Sequence, residues 1–348
     1  MRIAIGDRFI GTGEPVFIIA EIGVNHNGSI KLAKRMINVA IDAGADAVKF
    51  QSYKTDRIII KSAPSAKYHI RATSNKESWY DLLKRLELSK KKQKELFDYC
   101  VKKRIIFLST PYDTESADLL HKLNVAAYKI ASTDSTNIPL LERISRFKKP
   151  IILSTGMCTL KEVSESIKSI RKSGNNKIIL LQCTANYPPL KEDANLNVLD
   201  TFKKKFNVLA GYSDHLKLSQ AAIAAVAKGA CVYEVHFTLN KKFPGPDHNS
   251  SAEPAELRKI IRDIRLAEKL LGSCRKRITA SEKETKLKLQ KSIVSSCNIR
   301  AGELFTRKNI EIKRPGTGLS PKYYRKLLGK KAKKDIKKDE LIHFTDIS

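Results

Sequence analysis

The amino-acid sequence predicts a (β/α)8 barrel, a closed sheet of eight parallel strands in which each strand is followed by a helix. Eight short apolar runs follow one another through the first three-quarters of the 348-residue chain, and the stretches between them are long enough to form helices. Nearly every run ends in polar residues that could take part in chemistry. Strands that alternate with helices form parallel sheets, and barrel enzymes carry their catalytic groups at the carboxyl ends of the strands.

The predicted strands lie at residues 16–21, 45–51, 105–110, 126–132, 150–154, 177–183, 207–215 and 231–236, and helix-length stretches such as 29–43 and 159–174 separate them. The polar residues at or near the ends of these runs are expected to converge on one pocket. They are Glu21, Lys49, Gln51, Thr110, Lys129, Ser132, Ser154, Ser213, His215 and His236.

The chain is too long for the barrel alone, since a barrel of this type takes about 250 residues. The last barrel helix is predicted from Pro254 to Leu271, with Gly272 as its C-cap, so the barrel domain spans residues 1–272. Residues 273–290 are polar and are predicted to be a linker with some helix. Residues 291–348 form a small unit with β-like runs at 293–296 and 310–312. A unit of roughly 60 residues is marginally stable alone, so we expect it to pack on its own barrel or a partner's.

Composition indicates a soluble globular protein, with 42% hydrophobic and 29% charged residues. Charge appears too early at the N-terminus for a secretory signal, and no apolar run approaches the ~20 residues of a membrane span, so a cytoplasmic protein without a membrane partner is expected. The six cysteines are scattered without metal-type spacing, which favours reduced core thiols.

The net charge of +30 would by itself suggest an acidic partner. However, the excess lysine is spread along helix faces, as at 90–92 and 203–205. The aromatic residues of the basic C-terminal stretch, Tyr323 and Tyr324, are adjacent and do not form a stacking platform. We therefore expect no nucleic-acid partner, while a non-catalytic basic binding protein stays open as an alternative.

Two lysines suggest an anion site. Lys49 and Gln51 are two residues apart on one strand, so both side chains point to the same side. An inward pair of Lys49 and Lys129 would attract an anion, and nearby hydroxyl groups would add donors suited to phosphate and carboxylate together. The hydroxyl residues are Thr110, Ser132, Ser154 and Ser213.

Two histidines on adjacent strand ends suggest a metal site. His215 and His236 together could bind one divalent cation and leave positions open for water and substrate oxygens. Manganese, magnesium or cobalt would suit this set better than zinc. Glu21 brings a carboxylate to the barrel mouth, where it needs a partner. Residues 244–248 form a rigid loop from which Asp247 could bind sugar hydroxyls, although a simple tight turn explains the loop equally well.

With these residues in place, the chain resembles the sialic acid synthase family, which includes N-acetylneuraminate, N,N'-diacetyllegionaminate and pseudaminate synthases. The stretches that carry the resemblance are EIGVNHNG (21–28), ADAVKFQ (45–51), FLSTPYD (107–113), YKIAS (128–132), ILSTGM (152–157), CTANYP (183–188), YSDH (212–215), HFTL (236–239) and GPDH (245–248). Residues 291–348 resemble the antifreeze-like SAF domain, a β-clip fold, of the same enzymes.

The resemblance implies a reaction. Phosphoenolpyruvate, water and an N-acylated hexosamine, either N-acetylmannosamine or a 2,4-diacetamido-trideoxyhexose, would give a nonulosonic acid and phosphate when the enol carbon attacks the metal-polarised open-chain aldehyde. The implied catalytic residues are Glu21, Lys49, Lys129, His215 and His236, with the two histidines as ligands of a divalent metal, manganese first. Phosphoenolpyruvate would be bound by Lys49, Gln51, Thr110, Lys129, Ser132, Ser154 and Ser213, and the sugar by Asp134, Tyr187, Asp247 and Arg314.

The resemblance also implies a domain-swapped homodimer, in which Arg314 of the SAF domain reaches the sugar in the partner's barrel. Three positions depart from the family pattern: Ala185 replaces a polar residue, Leu216 replaces a common threonine, and Asp134 stands where glutamate is more frequent. These departures concern substrate fit, so a related phosphoenolpyruvate aldol-type synthase that takes a phosphorylated sugar stays open as the alternative enzyme.

Overall fold

The computed structural model describes residues 1–64 and 77–348. The chain divides into two compact units, Met1–Gly272 and Ser273–Ser348. Among the residues in these described ranges, no helix is both long enough and apolar enough to cross a lipid bilayer.

The first unit opens with an antiparallel hairpin of two strands, β1 (Arg2–Ile5) and β2 (Arg8–Gly11). A sheet of eight parallel strands follows. Its strands are β3 (Phe17–Gly23), β4 (Ala47–Ser52), β5 (Ile106–Pro111), β6 (Tyr128–Ile130), β7 (Ile151–Ser154), β8 (Ile178–Gln182), β9 (Leu209–Asp214) and β10 (Val232–His236).

The spatial order of the strands is β5-β4-β3-β10-β9-β8-β7-β6, and the two end strands β5 and β6 lie against each other. The sheet therefore curves round into a barrel, and the predicted (β/α)8 fold is confirmed. All eight carboxyl ends open on one side, which is where such folds carry their active sites.

The barrel unit contains helices after most strands, as the sequence predicts. Their bounds are Ile30–Ala43, Thr55–Ile58, Trp79–Leu86, Lys90–Lys103, Thr114–Lys122, Ile138–Ser145, Leu160–Lys172, Val198–Phe206, Ser219–Ala227 and Pro254–Leu271. Local sequence sets their ends. The Ser29 side chain accepts a hydrogen bond from the Leu32 amide, and Gly44 ends the same helix in the left-handed conformation, which glycine adopts without steric cost.

The hydrophobic core has two layers. The larger layer lies between the strands and the helices, and includes Ile18, Val48, Phe107 and Leu257. The smaller layer fills the barrel interior with residues such as Phe17, Ile19, Leu108 and Ile152, and it includes Ile3, Ile5 and Ile10 from the N-terminal hairpin. The hairpin thus packs against the amino ends of the strands and covers that end of the barrel.

This hairpin is not among the elements predicted from the sequence. Its pattern is present, because Gly6 and Asp7 form a two-residue turn between alternating apolar residues, and Gly6 has a φ of 61°. A left-handed glycine in a two-residue connection is a typical hairpin signal. Each strand has only four residues, which is why the pattern is weak beside the eight longer runs.

The second unit has its own small core. Strands β11 (Ser292–Ser295) and β12 (Ile310–Lys313) pair antiparallel. Ile293, Phe305, Leu327 and Ile342 are among the residues buried around them. A helix, Glu282–Leu289, lies within the stretch predicted as a linker, and a short helix spans Tyr324–Leu327.

Candidate active site

The carboxyl ends of the barrel strands surround a cavity of about 720 Å³. The structure brings all the predicted site residues of the first unit to its walls: Glu21, Lys49, Gln51, Thr110, Lys129, Ser132, Asp134, Ser154, Tyr187, Ser213, His215, His236 and Asp247. Ser132 and Asp134 come from a 3-10 turn after β6 and not from the strand itself. Arg314 belongs to the second unit, directly after β12, and its role toward a partner subunit stays a prediction.

Four buried charged residues form an ionic cluster at the base of the cavity: Glu21, Lys49, Lys129 and Glu234. The Lys49 Nζ atom lies 2.6 Å from Glu21 Oε2 and 3.8 Å from Glu234 Oε2. The Lys129 Nζ atom lies 3.6 Å from Glu234 Oε1. Strand register explains the proximity, because Glu21 is the ladder partner of both Lys49 on β4 and His236 on β10.

Hydroxyl groups surround both lysines of the ionic cluster. Lys49 Nζ donates to Thr110 Oγ1 at 3.2 Å, and Lys129 Nζ donates to Ser154 Oγ at 2.6 Å. Ser213 Oγ donates to Glu234 Oε1 at 3.0 Å. Each of the two predicted anion-binding lysines is therefore in contact with one of the predicted hydroxyl residues.

Burial and the cluster's own charges set its protonation. Burial raises the pKa of Glu21 to about 7, against the opposing effect of Lys49. Burial acts in the same direction on Glu234, but Lys129 and Lys49 outweigh it and lower the pKa of that carboxyl to about 2. The pKa of Lys49 is raised because Glu21 and Glu234 outweigh its desolvation, whereas desolvation lowers the pKa of Lys129. Two ammonium groups and at least one carboxylate thus share a buried site.

His215 and His236 lie side by side, with ring centroids 5.6 Å apart. Two imidazoles that share one ion through metal–nitrogen bonds of about 2.1 Å have centroids within about 6.5 Å, so this spacing fits a shared ion. His215 Nδ1 lies 2.7 Å from the Thr184 carbonyl oxygen, and that contact assigns the proton to Nδ1 and leaves Nε2 as a free acceptor.

The electrostatics of the histidine pair also suit a cation. Burial lowers the pKa of His215 to about 4 and the pKa of His236 well below its usual value, so both rings are neutral at pH 7. His236 Nδ1 is buried and has no hydrogen-bond partner. Neutral imidazole is the metal-binding form, and a buried ring nitrogen without a partner is costly unless something binds it. Two imidazoles alone are an incomplete ligand set, and the described residues contain no cluster of three or more metal-binding side chains, so water or substrate would complete it.

A second set of polar contacts, separate from the ionic cluster, surrounds Ser132. The Gly156 amide donates to Ser132 Oγ at 2.9 Å and to Cys183 Sγ at 3.2 Å, and the Ser132 and Cys183 side chains contact each other at 3.2 Å. A Cβ atom on Gly156 would lie 2.8 Å from Ser132 Oγ, which is closer than packing permits. Glycine therefore lets the backbone approach the predicted anion ligand without displacing its side chain.

Several residues that line the cavity were not predicted from the sequence. Glu234 is the most important, and its signal was available: it stands two residues before His236 on β10, so both side chains face the same way. Seven others form a contiguous apolar patch, hereafter the apolar patch, and line one part of the cavity: Val24, Tyr53, Ile58, Ile59, Trp79, Leu83 and Tyr112. These residues lie mainly in short elements after β4, where no periodic pattern marks them.

The three departures from the family pattern have distinct positions. Ala185 lines the cavity. Leu216 packs against the main core, and its amide donates to Asp214 Oδ1 at 2.7 Å. Asp134 Oδ1 accepts from Asn137 Nδ2 at 2.9 Å, and burial raises its pKa.

A parallel barrel whose strand ends hold paired lysines, carboxylates and histidines in one cavity defines an enzyme of the barrel class. Comparison with known proteins identifies the family. Residues 36–276 match the NeuB family and residues 290–348 match the SAF domain, so the chain belongs to the NeuB family.

Named relatives cover almost the whole chain. An N,N'-diacetyllegionaminic acid synthase from Campylobacter jejuni is 44% identical over 327 residues, which are 93% of this chain and 98% of that protein. The N-acetylneuraminate-9-phosphate synthase of Mus musculus is 38% identical and covers 96% of this chain and 93% of its own. The crystal structure of N-acetylneuraminic acid synthetase from Leptospira borgpetersenii is 38% identical, covers 82% of this chain and 95% of its own, and has a TM-score of 0.73.

Proposed function

We propose that the protein condenses phosphoenolpyruvate with an N-acylated hexosamine and water, releasing phosphate and forming a nonulosonic acid. The observation that carries this proposal is the ionic cluster, in which Lys49 and Lys129 place two buried ammonium groups beside a neutral histidine pair in one cavity. Phosphoenolpyruvate carries a phosphate and a carboxylate, and two fixed ammonium groups with adjacent hydroxyl donors match that charge.

Different residues of the cavity would bind the two substrates. Lys49 with Thr110, and Lys129 with Ser154, would hold the two anionic groups and orient the enol carbon toward the sugar aldehyde. Gln51, Ser132 and Ser213 would add further donors to the same substrate. Asp134, Tyr187 and Asp247 would bind the sugar in the remaining part of the cavity.

Attack by the enol carbon leaves positive charge at C2 of the former phosphoenolpyruvate, and water then adds there before phosphate leaves with its bridging oxygen. Glu21 contacts Lys49 at the base of the cavity, and burial raises its pKa to about 7, so it can hold or release a proton near neutral pH. As a carboxylate it would stabilise the cationic centre and accept a proton from the attacking water, and as the acid it would return that proton to the bridging oxygen of the departing phosphate.

We further propose that His215 and His236 hold a divalent cation, with manganese first and magnesium or cobalt as alternatives. Such a cation would supply Lewis-acid polarisation of the aldehyde oxygen. The ring spacing, the neutral state of both imidazoles and the unpartnered Nδ1 atom of His236 support this assignment. The expected swapped homodimer, with Arg314 acting in the partner's barrel, belongs to the same proposal.

The test is phosphate release from phosphoenolpyruvate that depends on an N-acylated hexosamine, with the nine-carbon product identified by mass. Lys129→Met should lower turnover by about a hundredfold or more, since it removes a charge-assisted contact to the reacting substrate. Lys102→Met is the matched control, because Lys102 is exposed on the outer helix Lys90–Lys103. Sugar-independent release, or equal turnover in both variants, would contradict the proposal.

A further inference from the structure

The chain leaves β10 into an irregular loop, residues 239–251, hereafter the β10 loop, which carries Asp247 to the wall of the cavity. The base of this loop is closed beside the histidine pair, because the Ala252 amide donates to the His236 carbonyl oxygen at 2.7 Å. Its regular structure is limited to the 3-10 turn His248–Ser250. Side-chain contacts are therefore needed to hold Asp247 in one position.

His248 supplies the first of these contacts. It directly follows Asp247 in the chain and is 1% exposed. Its Nδ1 atom lies 2.6 Å from Thr238 Oγ1, and its ring packs edge-on against Phe243, with ring centroids 5.6 Å apart. Thr238 is fully buried at the base of the β10 loop. The His248 side chain thus ties the far part of the loop back to the end of the barrel strand.

The other ring nitrogen of His248 lies beside the loop that follows β3. His248 Nε2 and Asn27 Oδ1 are both buried, and neither has a hydrogen-bond partner within the described part of the chain. A Cβ atom placed on Gly245 would lie 3.2 Å from His248 Nε2 and 3.0 Å from Asn27 Oδ1, so both atoms flank the same glycine. The missing side chain of Gly245 lets the two loops approach each other at this point.

These two unpartnered atoms are chemically complementary. The Thr238 hydroxyl lies 2.6 Å from His248 Nδ1 and 3.2 Å from the Asn240 carbonyl oxygen, so we assign its hydrogen to the closer ring nitrogen. Burial lowers the pKa of His248 to about 4, so the ring is neutral at pH 7 and carries its one proton on Nε2. A donor on His248 therefore lies beside an acceptor on Asn27, and a direct or water-mediated hydrogen bond between them removes the cost of two buried, unpaired polar atoms.

The backbone of Asp247 is held from the β3 side as well. Ser251 Oγ donates to the Asp247 carbonyl oxygen at 2.7 Å, and Asn25 Nδ2 donates to Ser251 Oγ at 2.8 Å. Asn25 is completely buried in the loop that follows β3. The Asp247 carboxylate lies 3.7 Å from the position of a Cβ atom placed on Gly23, close to the Gln51 amide. Contacts with the β3 loop thus determine where this carboxylate enters the cavity.

From these contacts we infer that His248 is a positioning residue, which holds the Asp247 carboxylate toward the sugar by joining Thr238 at the base of the β10 loop to Asn27 after β3. The inference rests on the proposed function, because it concerns how the sugar-binding side of the same cavity is built. His248 is not among the described residues that line the cavity, so it acts through Asp247. A misplaced carboxylate loses its hydrogen bond to a sugar hydroxyl, which corresponds to about tenfold in KM.

The experiment replaces His248 with phenylalanine, which keeps a ring against Phe243 and removes both nitrogens. Phosphate release with manganese is measured while each substrate is varied, using whichever of N-acetylmannosamine and the 2,4-diacetamido-trideoxyhexose the wild type uses better. The KM for the sugar should rise about tenfold, while kcat and the KM for phosphoenolpyruvate change less than about twofold. Asn249→Ala, at an exposed position of the same 3-10 turn, should change none of these values. Equal increases in both KM values mean a general loosening of the cavity and overturn the inference.

A double variant tests whether His248 acts through Asp247. In an Asp247→Ala background, His248→Phe should change the KM for the sugar less than about twofold, because the carboxylate that it positions is already gone. A tenfold effect that persists there overturns the inference. Thr238→Val removes the anchoring hydroxyl, should reproduce the His248→Phe pattern, and serves if that variant folds poorly. An unchanged sugar KM in both variants overturns the inference and leaves the proposed function standing, whereas no sugar-dependent release by the wild type with either sugar overturns both.

Discussion

The ammonium nitrogen of Lys49 and the carboxylate of Glu21 lie 2.6 Å apart on neighbouring strands, and both side chains are almost completely buried. Neither charge is solvated, so each depends on the other, and the charge of Lys49 is also stabilised by Glu234. Breaking a buried pair by removing one partner typically costs about 3–5 kcal/mol, because the remaining charge stays uncompensated. Stability and substrate binding are therefore linked in this one contact.

Lys49→Met is expected to lower both the free energy of unfolding, by about 3 kcal/mol, and turnover by orders of magnitude. The double variant Lys49→Met/Glu21→Gln should recover most of the stability without recovering turnover, since the stranded carboxylate is gone but the anion ligand is still missing. Chemical denaturation and phosphate release measure the two effects separately. Recovery of activity in the double variant would show that Lys49 does not bind substrate.

Removal of the divalent cation should abolish turnover, and added manganese should restore it. We expect the wild type to bind one Mn²⁺, measured by electron paramagnetic resonance or calorimetry, and we expect His215→Ala and His236→Ala each to lose it, because each removes one of the two proposed protein ligands. His121→Ala is the control, since His121 is an exposed residue on the outer helix Thr114–Lys122. Wild-type activity in the presence of excess chelator would remove the metal from the proposal.

Gly156→Ala is expected to raise the KM for phosphoenolpyruvate by about tenfold or more, since small misplacements of binding groups are costly. The new Cβ atom would lie 2.8 Å from Ser132 Oγ and 3.1 Å from Cys183 Sγ, so both side chains must move. The KM for the sugar should change less. Steady-state kinetics with each substrate varied in turn separates the two, and an unchanged KM for phosphoenolpyruvate would place Ser132 outside its binding site.

Ala185→Ser should have the opposite effect. Ala185 lines the cavity at a position where the family pattern has a polar residue, and a hydroxyl there is expected to regain one hydrogen bond to phosphoenolpyruvate. A net gain of about 1 kcal/mol corresponds to a KM lower by about fivefold. If the KM stays the same or rises, the departure at this position is compensated by another group.

Acid should destabilise the fold partly through His26. Burial, reinforced by Lys92 and His248, lowers the pKa of His26 to about 4, whereas the unfolded chain titrates near 6.5. The unfolded state therefore binds more protons between these values, and stability present above pH 6.5 is lost as pH falls toward 4. His26→Asn keeps a side-chain acceptor for the Gly28 amide and removes this titration. Between pH 7 and 4 the variant should lose up to about 3 kcal/mol less than the wild type in denaturation experiments.

Much of the barrel and its cavity could be predicted because strand alternation is a local rule. The spacing of Lys49 and Gln51 placed both on one side of β4, and the strand ends located Thr110, Ser154 and His236 around one opening. The same rule applied to β10 would have added Glu234 to the site. What no local rule supplies is the contact of Glu234 with Lys129, since these residues meet only when the sheet closes.

The apolar patch could not be found in this way. Ile58 ends a four-residue helix and Trp79 begins another element after residues 65–76, which lie outside the described ranges. Short connecting elements carry no periodicity, and their packing against Val24 depends on tertiary contacts. The resemblance to a family predicted the reaction, whereas the packing of these connecting elements could be seen only in the folded chain.

The hairpin under the barrel has a kinetic consequence. With Ile5 and Ile10 packed into the amino end of the barrel, reactants come and go on the opposite side. Lys49 and Lys129 are 4% and 2% exposed, while Ile58 and Trp79 nearer the solvent are only partly covered. If the sugar binds nearer the solvent, in the remaining part of the cavity as proposed, it would obstruct the route to the lysines, so we expect the anionic substrate to bind before the sugar. Because the hairpin closes the amino end of the barrel, both substrates would share a single entrance.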